Sequence, residues 1–220
     1  MTVPLPRLSE VVFEPPLNPK VQEAIDDSHY VRSVKILLQT KTPFWINKGV
    51  DGAVISDLPI RNTYFAPPFE GSAKGLIIAS YVWEKDADYF LQLSDDDKIT
   101  EAVSCLTQIF PEMANEFEHG ACSEWRDAFC IFRPGQDKYH HYLRAEVGPN
   151  LYLAGEHCSV EHGYFEGALE TGLRAAANIL RQLDPEFRCK FDELLASGKP
   201  TRPRRKWLHE APANQNGAGS

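Results

Sequence analysis

Residues 151–180 constrain this chain more than any other segment. They read as a short apolar strand, 151–154, ending in Gly155-Glu156, then a polar loop, then a helix opened by Gly163 and built on small residues (Gly167, Ala168, Gly172, Ala175, Ala176). Glycine inside a helix costs about 1 kcal/mol relative to alanine. Two of them on one helix imply that something approaches its backbone closely. The N-terminus of a helix also presents unpaired N–H groups and a partial positive charge of roughly half a unit. Such an end suits an anion, or an electron-rich ring that gains negative charge on reduction.

The rest of the composition narrows the class. With 43% hydrophobic and 25% charged residues, the chain has the make-up of a globular protein able to bury a core. A net charge of −8 disfavours nonspecific binding to nucleic acid or to an anionic membrane. No apolar run approaches the ~20 residues needed to span a bilayer, and Met1-Thr-Val-Pro-Leu-Pro is no signal peptide. The five cysteines (Cys105, Cys122, Cys130, Cys158, Cys189) are irregularly spaced and form no C-x-x-C. They point away from a disulfide framework or zinc module, and towards a cytoplasmic or other intracellular setting.

Along the chain, residues 2–5 read as the end of a buried strand, and a short helix is expected around 21–25. Strand-like segments follow at 33–39, 52–56, 61–65 and 75–82, the last resembling a central strand. Ser94 is the N-cap candidate of a helix whose first turn carries Asp95, Asp96 and Asp97, where the dipole favours acids. Ile99, Ala102, Val103, Leu106, Ile109 and Phe110 form its apolar stripe, and Pro111 ends it. Residues 112–150 read as irregular, closing in a Gly148-Pro149-Asn150 turn. Helices are expected at 164–182 and 186–196, and a disordered tail from 198, including the basic run 199–206.

Several clusters have bland readings that outweigh sharp ones. His157 and His162 are five apart, so they do not share a helical face, and no fourth ligand accompanies them and Cys158. No metal site is assigned. His140-His141 reads as solvated loop. Ser159 and His162 lack the G-x-S-x-G elbow of a hydrolase.

On Leu-Ala-Gly-Glu-His (153–157) and His-Gly-Tyr-Phe-Glu-Gly-Ala-Leu-Glu-Thr-Gly-Leu-Arg-Ala-Ala (162–176), the chain resembles the C-terminal part of the flavin-containing amine oxidases. Thr-Val-Pro-Leu-Pro-Arg-Leu (2–8), Val-Lys-Ile-Leu-Leu-Gln-Thr-Lys-Thr-Pro-Phe-Trp (34–45) and Glu-Trp-Arg-Asp (124–127) follow the same family's order. Residues 56–65, Ser-Asp-Leu-Pro-Ile-Arg-Asn-Thr-Tyr-Phe, look most like the L-amino-acid oxidase branch. The resemblance spans about residues 1–182.

That resemblance implies a mixed α/β fold: a mixed-sheet piece of the substrate domain at 1–145 and the returning strand–helix of the FAD-binding domain at 146–197, followed by the tail at 198–220. It implies FAD as cofactor. Gly155, Glu156, Gly163, Tyr164, Phe165 and Ala168 would form its cradle, Glu156 on the ribityl chain and the backbone near Tyr164 and Phe165 at the pyrimidine edge. Lys35 would hold a water near the flavin N5 and Trp125 would flank the ring. Lys35 and Tyr164 are thus the catalytic candidates, and Tyr164 with Tyr64 or Phe65 the substrate-facing ones. The activity implied is oxidation of an L-amino acid by hydride transfer to the flavin, giving an imine, a 2-oxo acid and, with oxygen, hydrogen peroxide. A monoamine or polyamine substrate, or a truncated non-catalytic binding module, are the alternatives.

The departures from the family are informative. No G-x-G-x-x-G follows a strand; Gly217-Ala218-Gly219 has neither strand nor helix beside it. The ADP-binding half of the FAD site is missing, which implies an N-terminal partner subunit or an absent N-terminal half. After Trp125 the chain reads Ala128-Phe129-Cys130-Ile131-Phe132-Arg133 instead of the glycine-rich family stretch, so covalent attachment through Cys130 does not carry over.

Overall fold

A computed structural model describes residues 2–197 except 69 and 149. The expected tail from 198, with its basic run and closing glycines, lies outside the described residues. In order, the elements are α1 (Leu5–Leu8), α2 (Pro19–Asp27), β1 (His29–Thr40), a 3-10 turn (Phe44–Lys48), β2 (Ala53–Ile55), β3 (Asn62–Phe65), β4 (Gly75–Trp83) and α3 (Glu84–Phe90). There follow α4 (Asp95–Ile109), α5 (Met113–Glu116), β5 (Phe117–Ile131), α6 (Tyr139–Arg144), β6 (Glu146–Gly148), β7 (Leu151–Tyr152), a 3-10 turn (Glu156–Cys158), α7 (Phe165–Leu183) and α8 (Pro185–Ala196).

Five strands form one sheet in the order β2-β3-β4-β1-β5, which makes β4 its central strand as expected. The mixed α/β class is borne out, and within it every pairing of this sheet is antiparallel where a mixed sheet was expected. Period-two alternation on β1 sends Val34, Ile36 and Leu38 into the core, leaving Ser33, Lys35, Leu37 and Gln39 on the other face. Helix α4 covers the core face. The Ser94 side chain accepts from the Asp97 N–H as its cap, and Ala102, Leu106 and Phe110 are buried against the sheet. Lys98 on the same helix is buried too, its ammonium paired with Asp95 and Glu124.

Three expectations for the elements are corrected. Residues 2–5 are not a buried strand: Val3 is exposed, and Pro4 precedes the one-turn helix α1, whose Leu5 and Leu8 enter a second core with Tyr30, Leu143 and Leu153. Pro6 suits the first turn because its missing N–H would be unpaired there anyway. Residues 112–150 are not irregular. They hold β5, fifteen residues long and paired with β1 along almost its whole length. Only Cys130 of β5 is buried, so the strand carries no apolar alternation for the sequence to display. His140 and His141 lie on α6 rather than in a loop, with His140 half-buried and its Nε2 3.1 Å from the Arg144 guanidinium.

The returning strand is shorter than read. It forms only a hairpin with β6, although Leu153 and Ala154 beyond it are buried. By compactness the chain falls into two units, divided between Ala175 and Ala176 inside α7. The second unit holds α8, where Phe187 and Phe191 stack 5.8 Å apart and Asp192 meets Arg181 at 2.6 Å. Among the described residues, no helix is long and apolar enough to cross a membrane.

Candidate functional site

The non-core face of the sheet and the start of α7 enclose a cleft of about 360 Å³. Ser33 and Lys35 of β1, Tyr81 of β4 and Trp125, Ala128 and Phe129 of β5 line it from the sheet side. Glu156, Gly163, Tyr164, Phe165 and Ala168 line it from the other. Register explains the floor. Lys35 is the cross-strand partner of Tyr81, and Ser33, two residues away on the same face, is the partner of Trp125.

The second wall is held by an interlocked set of backbone contacts. Glu156 Oε1 accepts from the Cys130 N–H and Oε2 from the Gly163 N–H, each at 3.0 Å. One carboxylate thus fastens β5 to the turn that opens α7, and each oxygen keeps a further acceptor position. Gly163 has φ +74°, a conformation that favours glycine, and a Cβ there would crowd the Phe129 ring at 3.2 Å. Gly155 stands at φ 153°, ψ 170°, a region populated almost only by glycine, and a side chain there would collide with the His157 ring. Its N–H donates to Thr171 Oγ1 at 2.9 Å, and the buried Thr171 hydroxyl lies 2.9 Å from the Gly155 carbonyl, clasping α7 to the turn.

The two helix glycines prove different. A methyl group on Gly167 would run into the Glu161 carbonyl and crowd Ser159, so a backbone does approach there, from the chain's own loop. Nothing among the described residues lies within 4 Å of such a methyl on Gly172.

Electrostatically the cleft is lopsided. Among the described residues, Lys35 is its only cationic lining residue and Glu156 its only acidic one. Nearby, His157 is buried, and burial, reinforced by His162, depresses its pKa to about 4, so it is neutral at pH 7. Burial likewise pushes the Cys158 thiol up to about 12 and the Cys130 thiol up as well, which leaves both unreactive as nucleophiles. Ser159 Oγ donates to Glu170 at 2.9 Å and His162 Nδ1 faces the Cys130 carbonyl at 3.1 Å, so the two form no nucleophile–base pair.

Of the residues singled out from the sequence, the cleft gathers Lys35, Trp125, Glu156, Gly163, Tyr164, Phe165 and Ala168. Gly155 stands one residue behind Glu156, shaping the wall without lining it. Two substrate-facing candidates lie outside this cleft. Phe65 is buried in the core between Trp45 and Phe110, with ring centroids 5.1 and 5.6 Å away, because β3 alternates and turns it inward. Tyr64, its exposed neighbour, does not line the cleft. The sequence missed Ser33, which sits two residues from Lys35 on one strand and could have been found by alternation. It also missed Tyr81, Ala128 and Phe129, which only strand register and the unread β5 bring in.

Comparison with known proteins identifies the family. The family described as flavin containing amine oxidoreductase matches residues 1–180, and the chain belongs to it. The L-amino-acid oxidase of Mus musculus is 31% identical over 190 residues, 81% of this chain and 30% of its own length. The tryptophan 2-monooxygenase of Rhizobium radiobacter is 28% identical over 191 residues, 77% of this chain and 25% of its own. In fold, the chain superposes on cyclohexylamine oxidase from Brevibacterium oxydans IH-35A with a TM-score of 0.74 at 18% identity, covering 84% of this chain and 42% of that one. The chain therefore spans less than half the length of the relatives it matches.

The lining suits the ring end of the family's flavin. Trp125 and Tyr164 offer flat aromatic walls, the α7 N-terminus offers backbone donors, and Lys35 offers an ammonium that no carboxylate engages among the described residues.

Proposed function

We propose that this chain is the ring-facing and substrate-facing part of an FAD-dependent amine oxidase acting on an L-amino acid. Residues 1–145 would serve as the substrate-domain piece and 146–197 as the returning strand–helix of the cofactor domain. The observation that carries the reading is the convergence in one cleft of seven residues that the family resemblance points to, drawn from β1, β5, the turn at Glu156 and the approach to and first turn of α7. FAD, when bound, would accept the hydride leaving the substrate's α-carbon, so that the amine becomes an imine that water converts to a 2-oxo acid and ammonia. Oxygen would take the electrons away as hydrogen peroxide. The chain's own residues bind and orient: Trp125 and Tyr164 wall the ring, Lys35 donates from the sheet, and the α7 N–H groups meet developing negative charge.

The ADP end of FAD would be held by a further polypeptide segment, on the same chain or another. Two features of the first unit support this. Phe165, Leu169 and Leu173 of α7 are 86%, 66% and 73% exposed, an apolar face continuous with the cleft. The buried guanidinium nitrogens of Arg174 have no oxygen acceptor among the described residues and face the Cys158 thiol, and burial lowers its pKa, with Arg144 adding to the effect.

The test is coexpression with the nucleotide-binding half of an amine oxidase, followed by a flavin absorbance spectrum and product analysis on L-amino acids. Flavin uptake with peroxide and 2-oxo acid supports the proposal. Turnover of simple amines alone would remove the amino-acid substrate, and an amide with carbon dioxide would indicate monooxygenase chemistry. No flavin uptake would favour a non-catalytic module. With all five cysteines free, an intracellular setting is part of the same proposal.

A further inference from the structure

We propose that Tyr81 is the positioning residue for Lys35: its ring and that of Trp125 bracket the Lys35 ammonium on the floor of the cleft and hold it there without neutralising it. Lys35 Nζ lies 4.2 Å from the Tyr81 ring centroid and 5.6 Å from that of Trp125, both within the ~6 Å over which an aromatic face attracts a cation. The sheet dictates the arrangement, since Tyr81 is directly opposite Lys35 across β1 and β4. Tyr81 is itself steadied by Trp83, whose ring is 4.5 Å away at 52°.

The contrast with other lysines gives the bracket its meaning. Lys98 is tied to Asp95 and Glu124, and Lys74 to Glu118. The Lys35 ammonium takes part in no ion pair or side-chain hydrogen bond among the described residues. Glu156, the only acid lining the cleft among the described residues, has both oxygens on backbone N–H groups. A carboxylate would hold an ammonium by consuming its N–H donors. Two π faces hold the charge and leave those donors for an acceptor in the cleft. Tyr81 therefore decides where an electron-rich, acceptor-bearing group meets the lysine. This deepens the flavin-site reading, yet the bracket exists in the chain by itself.

The experiment needs no flavin: a short acetic anhydride pulse on the purified chain at fixed pH, with the extent of acetylation at each lysine read by peptide mass spectrometry. Removing the nearer face in Tyr81→Leu should raise the labelling rate of Lys35 about fivefold, with other lysines unchanged. Tyr81→Phe, which keeps the face and loses only the hydroxyl, should label as the unaltered chain does. An unchanged Lys35 rate in Tyr81→Leu, or equal rates in the Phe and Leu variants, overturns the proposal. If Tyr81→Leu loosens the fold, buried Lys98 will label as well. Trp125→Leu then decides, with about a twofold rise at Lys35 expected for its more distant ring and no rise counting against the bracket. Failure of flavin uptake would leave this result standing, and failure of the bracket would leave the flavin reading standing.

Discussion

Glu156 is the residue through which the site can be tested most directly. Its two oxygens serve two backbone donors at 3.0 Å, one on each side of the cleft. Glu156→Gln keeps the shape and replaces one acceptor by an NH₂ that faces an N–H. A loss of about 1–3 kcal/mol is expected in urea unfolding, the cost of leaving a partly buried donor unpaired. His157 gives a pH signature. Its folded pKa of about 4 lies below its ordinary value of 6.5, so between these values the unfolded chain binds the extra proton. Stability is then full above about pH 7 and falls as the pH drops towards 4, by on the order of 3 kcal/mol in all. Urea midpoints measured from pH 7.5 to 4.5 should show this slope, and His157→Gln should flatten it. At this scale the sequence pointed to Glu156 through its family setting, while the bond partners that make it a fastener were invisible until β5 was in place. Phe65 shows a related limit: only the alternation of a four-residue strand decides between wall and core.

Among the elements, α7 carries the sharpest contrast. Gly167→Ala pushes a methyl group into the Glu161 backbone and should cost about 1–3 kcal/mol, since that neighbour cannot rotate away. Gly172→Ala meets open space in the helix and should stabilise the isolated chain by up to about 1 kcal/mol. Thermal melts of the two variants would therefore move in opposite directions. Legibility divides along similar lines. α4 announced itself through the Ser94 cap, three acids and an apolar stripe, and β1 and β4 through their apolar, β-branched runs. β5 was illegible because it is held by β1 and not by burial: fourteen of its fifteen side chains are exposed or half-exposed. The sharp turn at Gly155 and the closeness of 159–161 to α7 were legible as glycines, though not as the neighbours that require them.

For the whole molecule, the apolar face of α7 is where the proposed nucleotide-binding partner can be tested. Leu169→Glu with Leu173→Glu should leave the melt of the isolated chain within about 0.5 kcal/mol of the parent, because both side chains are largely exposed. The pair should abolish copurification with a nucleotide-binding half, read by size-exclusion chromatography of the coexpressed proteins. Equal copurification would place the partner elsewhere. The cleft has a kinetic corollary. Since Glu156 already joins its two walls in the chain by itself, the ordering of the Gly163 turn is completed during folding and none is left for the moment of loading. Cofactor capture should then be preorganised, with a rate set by encounter and access and nearly free of the slow phase that a loop folding onto its ligand would add.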